Sequence, residues 1–88
     1  MTYFDTTTPR RDTPQHIHDI LLYCKQKRKT HEILRKANIT TARFKLLAKG
    51  LIEEGYLTRD QSSYTTTKKG RFLQENIAQF YQELEEFI

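Results

Sequence analysis

The sequence has 88 residues, of which 30% are charged, with a mean hydropathy of −0.78 and a formal net charge of +4. This length allows one small domain, and no apolar run approaches the roughly 20 residues that a membrane span requires. The start of the sequence lacks the apolar segment of a secretory signal, and the single cysteine, Cys24, excludes an internal disulfide. We therefore expect a cytoplasmic protein.

The first predicted helix follows a polar N-terminal segment. Residues 1–12 are threonine-rich and without periodicity, and we expect a flexible arm there. The helix is predicted to begin at Thr13, an N-cap residue followed by proline at the first helical position. Its apolar residues recur at i, i+3, i+4 and i+7, and they are Ile17, Ile20, Leu21 and Cys24. The basic residues within positions 25–29 can stabilise the C-terminal end of the helix through its dipole, or they can contact a polyanion. The sequence leaves both interpretations open.

A second, short helix is predicted between residues 30 and 38. Thr30 is the expected N-cap, and Asn38 is the expected left-handed stop. Lys29 and Thr30 are also candidates for a small extra strand. The inward residues of the helix share helical spacing and are Ile33, Leu34 and Ala37.

A third helix is predicted to start at Thr40 or Thr41, either of which can cap it, and to end before Gly55. Its inward residues form a stripe at i, i+3, i+4, i+7 and i+8, namely Phe44, Leu47, Ala48, Leu51 and Ile52. Gly50 lies in the helix interior, where glycine costs about 1 kcal/mol relative to alanine. We therefore expect another element to approach the helix closely at Gly50.

A β-hairpin and a long final helix complete the predicted elements. Strands are predicted at 56–59 and 63–66 around a turn at 60–62. The last helix is predicted to begin after Thr67 and to continue to the end of the chain. Its apolar residues recur at heptad spacing and form the predicted dimer interface, which consists of Leu73, Ile77, Phe80, Leu84 and Phe87.

The apolar seam of this last helix has two interpretations. It can pack against its own domain, or it can pair with the same helix of a second copy. So small a chain has little other surface against which to bury that many apolar side chains. We therefore expect a homodimer.

Charge is unevenly distributed along the chain. Residues 1–71 contain all 15 lysines and arginines against 7 acidic residues, whereas residues 72–88 contain 4 acidic residues and no basic one. The resulting balances of +8 and −4 predict a polyanionic partner for the body and a different role for the terminal helix.

The order of these elements predicts a mainly α fold with a small β-hairpin. It is the order of a winged helix-turn-helix domain, at 13–70, followed by a dimerisation helix at 71–88. The first half of the third helix has a small, hydroxylated and basic outer face, which suits a helix that enters a DNA groove. We predict DNA contacts from this helix, the wing and the start of the last helix, namely Thr40, Thr41, Arg43, Lys45, Lys49, Arg59, Gln61, Ser62, Lys68 and Lys69.

Two side chains of the third helix are candidates for contact with bases. Arg43 is the only one there that can hold a guanine with two parallel hydrogen bonds. Leu46 can meet a thymine methyl group or pack under the wing. A winged domain that binds protein instead of DNA, through Leu46 and the wing, is the alternative function.

Neither a metal site nor a catalytic site is predicted. The candidate ligands do not have the spacing of a zinc site, and they are His16, His18, Cys24 and His31. No nucleophile motif or glycine-rich phosphate loop is present. We therefore predict a protein that is not an enzyme and has no cofactor, no small-molecule ligand and no membrane partner.

Several motifs also occur in a characteristic order, namely Lys29-Thr30-His31, Ala37-Asn38-Ile39-Thr40, Phe44–Leu47–Leu51, Glu54-Gly55-Tyr56-Leu57 and Tyr64-x-x-Thr67-x-Lys69-Gly70 followed by Phe72-Leu73. Together, over about residues 14–88, they resemble small archaeal winged helix-turn-helix proteins, which are predicted transcriptional regulators or chromatin proteins. Archaeal viruses carry such proteins too.

This resemblance implies binding of double-stranded DNA with little sequence preference and an antiparallel coiled-coil homodimer. Its recognition helix would be 40–54, its wing 59–63 and its dimer seam 73–87. The predicted terminal helix of this chain is shorter than that of the coiled-coil members of the family, and its wing is less basic than theirs. The expected protein is a dimeric transcriptional regulator that acts by occupying DNA.

Overall fold

The computed structural model describes residues 13–87, with only the backbone of Phe87, so that the predicted arm at 1–12 lies outside the described residues. Within that range the elements are α1 (Thr13–Tyr23), β1 (Arg28–Lys29), α2 (Thr30–Ala37), α3 (Thr41–Glu53), β2 (Leu57–Asp60), β3 (Ser63–Thr66) and α4 (Lys68–Phe87). The strands form an antiparallel sheet in the order β1-β3-β2. The predicted architecture, three helices with a hairpin wing and a long C-terminal helix, is confirmed.

The inner face of α1 supplies a large part of the core. Ile20, Leu21 and Cys24 have no exposed surface, as the periodicity of the sequence predicts. Just beyond the end of α1, the Arg28 guanidinium lies 4.4 Å from the Tyr23 ring centroid, and its Nε donates a hydrogen bond to the Tyr23 carbonyl oxygen at 3.2 Å. This arginine of the basic run therefore stabilises the C-terminal end of α1.

The start of α2 differs from the prediction. Lys29, and not Thr30, occupies the N-cap position, and its N–H donates to the Glu32 carboxylate at 2.9 Å, which lowers the pKa of Glu32. Thr30 instead donates from both its N–H and its hydroxyl to the Ser62 carbonyl oxygen, at 3.2 Å each. It does so because β1, one residue earlier than predicted, pairs with β3 and brings the start of α2 to the hairpin tip. The left-handed stop at Asn38 is confirmed, with φ 54°.

Helix α3 has the predicted cap and most of the predicted inner face. The Thr40 hydroxyl oxygen accepts a hydrogen bond from the Arg43 N–H at 3.3 Å. The buried residues of the helix are Phe44, Ala48 and Leu51, and Leu47 is half-buried. The inward placement of Ile52 was wrong, because this side chain is 37% exposed. Eight residues after Phe44, it lies about 80° around the helix from that side chain.

The hairpin is one residue out of register with the prediction. Asp60 belongs to β2 and pairs with Ser63, which leaves Gln61 and Ser62 as the turn. Gln61 has φ 58°, a left-handed conformation that a two-residue hairpin turn requires at its first position. Tyr64, on β3, is buried and meets the Phe44 ring edge-on, with ring centroids 5.0 Å apart.

Helix α4 packs along α1 but leaves part of its apolar surface uncovered. The Thr67 hydroxyl accepts a hydrogen bond from the Gly70 N–H at 3.0 Å and so caps the helix. Buried Gln74 contacts His18 of α1, with its amide nitrogen 3.0 Å from His18 Nε2. Of the predicted dimer residues Leu73, Ile77 and Leu84 are half-buried and Phe80 is 53% exposed, whereas the side chain of Phe87 lies outside the described residues.

The close approach expected at Gly50 is found at Gly70 instead. A Cβ atom at Gly50 would meet nothing within 4 Å, because this face of α3 is exposed. A Cβ atom at Gly70 would lie 2.1 Å from the Tyr56 carbonyl oxygen and 2.7 Å from the Thr66 methyl carbon. Only glycine therefore allows α4 to start directly against the hairpin base.

These two glycines form a matched pair for a stability measurement. Gly70→Ala forces a backbone contact apart, so we expect the free energy of unfolding to fall by about 2–4 kcal/mol. Gly50→Ala removes backbone freedom from an exposed helix position, so the same quantity should rise by about 0.5–1 kcal/mol. Urea unfolding monitored by circular dichroism measures both. Equal effects of the two substitutions would contradict the packing of α4 on the hairpin.

Candidate nucleic-acid interface

The outward face of α3 is set by the residues that the helix buries. Because Phe44, Ala48 and Leu51 point into the core, the opposite side of the helix is left exposed. That exposed side begins at the cap residue and continues along the first two turns, and it contains Thr40, Thr41, Ala42, Lys45, Leu46 and Lys49. The first half of α3 therefore presents small, hydroxylated, apolar and basic groups together.

A groove of about 500 Å³ lies between α3 and the hairpin. The helix lines it with Lys45, Lys49, Ile52 and Glu53 among others, and the hairpin lines it with Arg59, Ser62 and Tyr64. The groove therefore brings together four residues that the sequence predicted as DNA contacts, namely Lys45, Lys49, Arg59 and Ser62. Three cations face one carboxylate, so the lining has a positive balance that suits an anionic ligand.

Two contacts across the chain hold the hairpin tip in place beside this groove. Thr30 bonds the Ser62 carbonyl oxygen, and the Lys27 ammonium lies 2.9 Å from the Asp60 carboxylate. The Lys27–Asp60 pair is exposed and worth little stability, but it offsets the one acidic charge of the hairpin. The positive charge of Arg59 is therefore left as the net charge of the wing.

The Arg59 side chain lies along the hairpin. Its Nε donates to the Gln61 carbonyl oxygen at 2.6 Å, and its guanidinium lies 6.0 Å from the centroid of the Tyr64 ring opposite it. The carbonyl contact uses one of the five N–H groups of a guanidinium. The remaining donors can bind a phosphate oxygen without disturbing the turn.

Arg43 is directed away from the groove, toward α1. Its Nε donates to His16 Nδ1 at 3.3 Å, and its terminal nitrogen donates to the Thr13 hydroxyl. The side chain is half-buried, and His16 beneath it is almost completely buried. Contact between Arg43 and DNA stays a prediction, and it would require the guanidinium to leave both partners.

The two predicted lysines of α4 do not line the groove either. The Lys69 ammonium donates to the Glu54 carbonyl oxygen at 2.7 Å and lies 4.8 Å from the Tyr56 ring centroid. It therefore stabilises the C-terminal end of α3, the opposite end from Thr40. Lys68 is exposed beside it. DNA contact by Lys68 and Lys69 also stays a prediction.

Sequence reasoning missed the residues that position the wing. Thr30 was interpreted as a helix cap or as part of a small extra strand, and Lys27 only as one member of a basic run. Their hairpin partners are 32 and 33 residues further along the chain, so no local pattern indicates the pairing. The one available signal was the extra strand, because pairing of β1 with β3 requires the start of α2 to lie near the hairpin tip.

A metal site, a membrane span and a reactive cysteine each place their own requirements on the described residues. Between residues 13 and 87, no group of three or more His, Cys, Asp or Glu residues could hold a metal ion. No helix in the same range is long and apolar enough to cross a membrane. Burial raises the pKa of the Cys24 thiol to about 12, so this cysteine remains protonated and unreactive at neutral pH.

The helices, the wing and the groove between them are those of a winged helix-turn-helix protein. The sequence matches the winged helix-turn-helix family over residues 10–85, and the chain belongs to that family. Its structure is similar to that of Sso10a-2, a DNA-binding protein from Sulfolobus solfataricus, with a TM-score of 0.79 and 25% identity, covering 88% of this chain and 85% of that chain. No protein with a curated function matches the sequence significantly. The resemblance to small archaeal winged helix-turn-helix proteins is confirmed.

The contacts of Arg43 predict a structural role that can be measured without DNA. Arg43→Ala removes two side-chain hydrogen bonds between α3 and α1, so we expect the free energy of unfolding to fall by about 1–2 kcal/mol. Lys45→Ala, an exposed change on the same helix, should change it by less than about 0.5 kcal/mol. Thermal and urea unfolding of both variants test this. An unchanged stability of Arg43→Ala would show that its side chain is available for another partner.

Proposed function

We propose that this protein binds double-stranded DNA with α3 in the major groove and the hairpin on the adjacent backbone, as a dimeric transcriptional regulator that acts by occupancy. The observation that carries this proposal is the groove in which Lys45, Lys49, Arg59 and Ser62 come together beside the exposed half of α3. The similarity to a DNA-binding protein from Sulfolobus solfataricus supports it. The proposed activity has no chemical step.

The dimensions and polarity of α3 suit this mode of binding. A helix with its side chains is about 10–12 Å across, and the major groove of DNA is about 12 Å wide. The N-terminal end of α3 carries a partial positive charge, and the hydroxyls of Thr40 and Thr41 can donate to phosphate oxygens there. Lys45 and Lys49 lie on the flank toward the hairpin, where a DNA backbone would pass.

Phosphate contacts supply most of the affinity in the proposed complex. The cations of the groove are two exposed lysines and one arginine that is bonded to the hairpin turn. Arg43, the candidate for reading guanine, bonds to α1. We therefore propose a protein with strong electrostatic attraction to DNA and modest sequence preference.

The exposed aromatic surface of α4 supports the proposed homodimer. Phe72 and Phe80 are 60% and 53% exposed, and they are two turns apart on a helix of 20 residues. A second copy of α4 would cover both rings. The acidic residues concentrated on this helix would then lie between two basic bodies, each free to contact its own DNA half-site.

A salt titration with matched variants tests DNA binding. Because each phosphate contact releases condensed cations, three contacts per protomer predict a slope of roughly −2.7 for log K against log salt. Lys45→Ala with Lys49→Ala should weaken binding severalfold and reduce the slope to roughly −0.9 per protomer. Fluorescence polarisation with a random-sequence duplex measures both.

The control for this titration is Lys36→Ala, which removes the same charge from an exposed position outside the groove. It should leave the affinity and the slope nearly unchanged. Binding that is absent at low salt, or that does not depend on salt, would contradict the proposal and favour a domain that binds protein through Leu46 and the wing.

The dimer is tested by changing only exposed rings. Phe72→Ser with Phe80→Ser removes little packing within the chain, so the fold should persist while the particle mass falls from twice 10.5 kDa to 10.5 kDa. Gln82→Ser, an exposed change on the same helix, should leave the dimer intact. Light scattering and sedimentation equilibrium measure the mass. A wild-type chain that is monomeric at high concentration would end the dimer proposal while leaving DNA binding open.

A further inference from the structure

Leu46 is the most exposed large apolar side chain of the described residues, at 66%. The alternative that it packs under the wing is wrong, because it does not line the groove between α3 and the hairpin. It lies on the outward face of α3, four residues after Ala42, and both residues are exposed. Single exposed leucines are common on protein surfaces. This one lies on the outward face of α3, beside the flank on which Lys45 and Lys49 line the groove.

The apolar part of the outward face of α3, formed by Ala42 and Leu46, is chemically restricted in what it can recognise. Ala42 and Leu46 can neither donate nor accept a hydrogen bond, and the Arg43 guanidinium is bonded to His16 and Thr13. Among the groups on the base edges of the major groove, the one that an apolar side chain can recognise is the C5-methyl group of thymine. Hydrogen-bonding edges of guanine, cytosine or adenine placed against Leu46 would lose water without gaining a partner.

We propose that Leu46 contacts thymine methyl groups in the major groove, so that the protein prefers duplexes that carry a methyl group at this place. The proposal rests on the DNA-binding function proposed above and assigns the source of its base preference. Lys45 and Lys49 hold the helix on the phosphates that pass between α3 and the hairpin, and Leu46, on the outward face beside them, lies against the base edges. Burial of one methyl group corresponds to about a fourfold change in affinity.

The experiment compares two duplexes that differ only in these methyl groups. One duplex contains thymine and the other contains uracil at every thymine position, so base pairing and charge are the same. Wild-type protein should bind the uracil duplex about fourfold more weakly for each methyl group that Leu46 contacts. Leu46→Ala should bind the two duplexes with nearly equal affinity. Comparing the ratio of the two affinities in wild type with the same ratio in Leu46→Ala removes any general effect of uracil on the shape of the duplex.

Two controls make the assignment specific to this side chain. Leu22→Ala removes a 46% exposed leucine from α1 and should retain the full thymine preference. A uracil duplex in which cytosine is replaced by 5-methylcytosine has methyl groups at the same depth of the major groove, and wild type should regain affinity for it. Leu46→Ala should not.

The outcomes separate this inference from the function on which it rests. Equal binding of the thymine and uracil duplexes by wild type, with the salt-dependent affinity intact, would overturn the role of Leu46 and leave DNA binding standing. A thymine preference that persists unchanged in Leu46→Ala would overturn it as well, because another group would then carry the preference. Absence of binding to every duplex at low salt would overturn both proposals.

Discussion

The edge-to-face contact between Phe44 and Tyr64 is the constraint on which the candidate interface depends. Phe44 has no exposed surface, Tyr64 is 6% exposed, and their ring centroids are 5.0 Å apart. Such a pair contributes about 0.5–1.5 kcal/mol beyond the burial of its area. Its larger consequence is geometric. With Phe44 held against β3, α3 cannot rotate about its axis, so Lys45 and Lys49 must face the hairpin while Leu46 faces outward.

Strand β3 transmits this constraint to the rest of the domain. Tyr64 pairs with Arg28 of β1 on one side and with Arg59 of β2 on the other. Two residues later, the Thr66 hydroxyl donates to the Leu21 carbonyl oxygen at 2.7 Å, and the Thr66 N–H donates to that of Cys24 at 2.8 Å. One short strand is thus bonded to α1, both neighbouring strands and, through Tyr64, α3. The hairpin is part of the core and not an appendage, which fixes the width of the groove.

The sequence predicted those features of the fold that depend on residues close together along the chain, namely the helices and their ends. Helical periodicity located all four helices, because the burial of each depends on residues within two or three turns. Asn38 and Gly55 were identified as helix ends, since a positive φ at a helix end favours these residue types, and their φ values are 54° and 84°. The closing hairpin was one residue out of register, because strand ends are set by pairing partners that a local pattern does not contain.

What could not be predicted depends on distant parts of the chain. Arg43 looked like an exposed reader of guanine, and its partners His16 and Thr13 are 27 and 30 residues away. Gly50 looked like a point of close approach, whereas the crowded glycine is Gly70, which meets the carbonyl group of Tyr56. In both cases the residue type suited the expected role, but the tertiary contacts at that position are different from the ones expected.

The proposed complex divides affinity and preference between different side chains. Cations between α3 and the hairpin act on phosphates, which are the same in every sequence, and their effect weakens as added salt reduces the gain from releasing condensed counterions. An apolar contact with a methyl group does not depend on salt in this way, because it arises from surface removed from water. Rising ionic strength should therefore reduce the affinity for all duplexes while leaving the ratio between thymine-containing and thymine-free duplexes nearly constant. With the Arg43 guanidinium bonded to His16 and Thr13, the exposed apolar surface of Leu46 is the candidate for such a contact on α3.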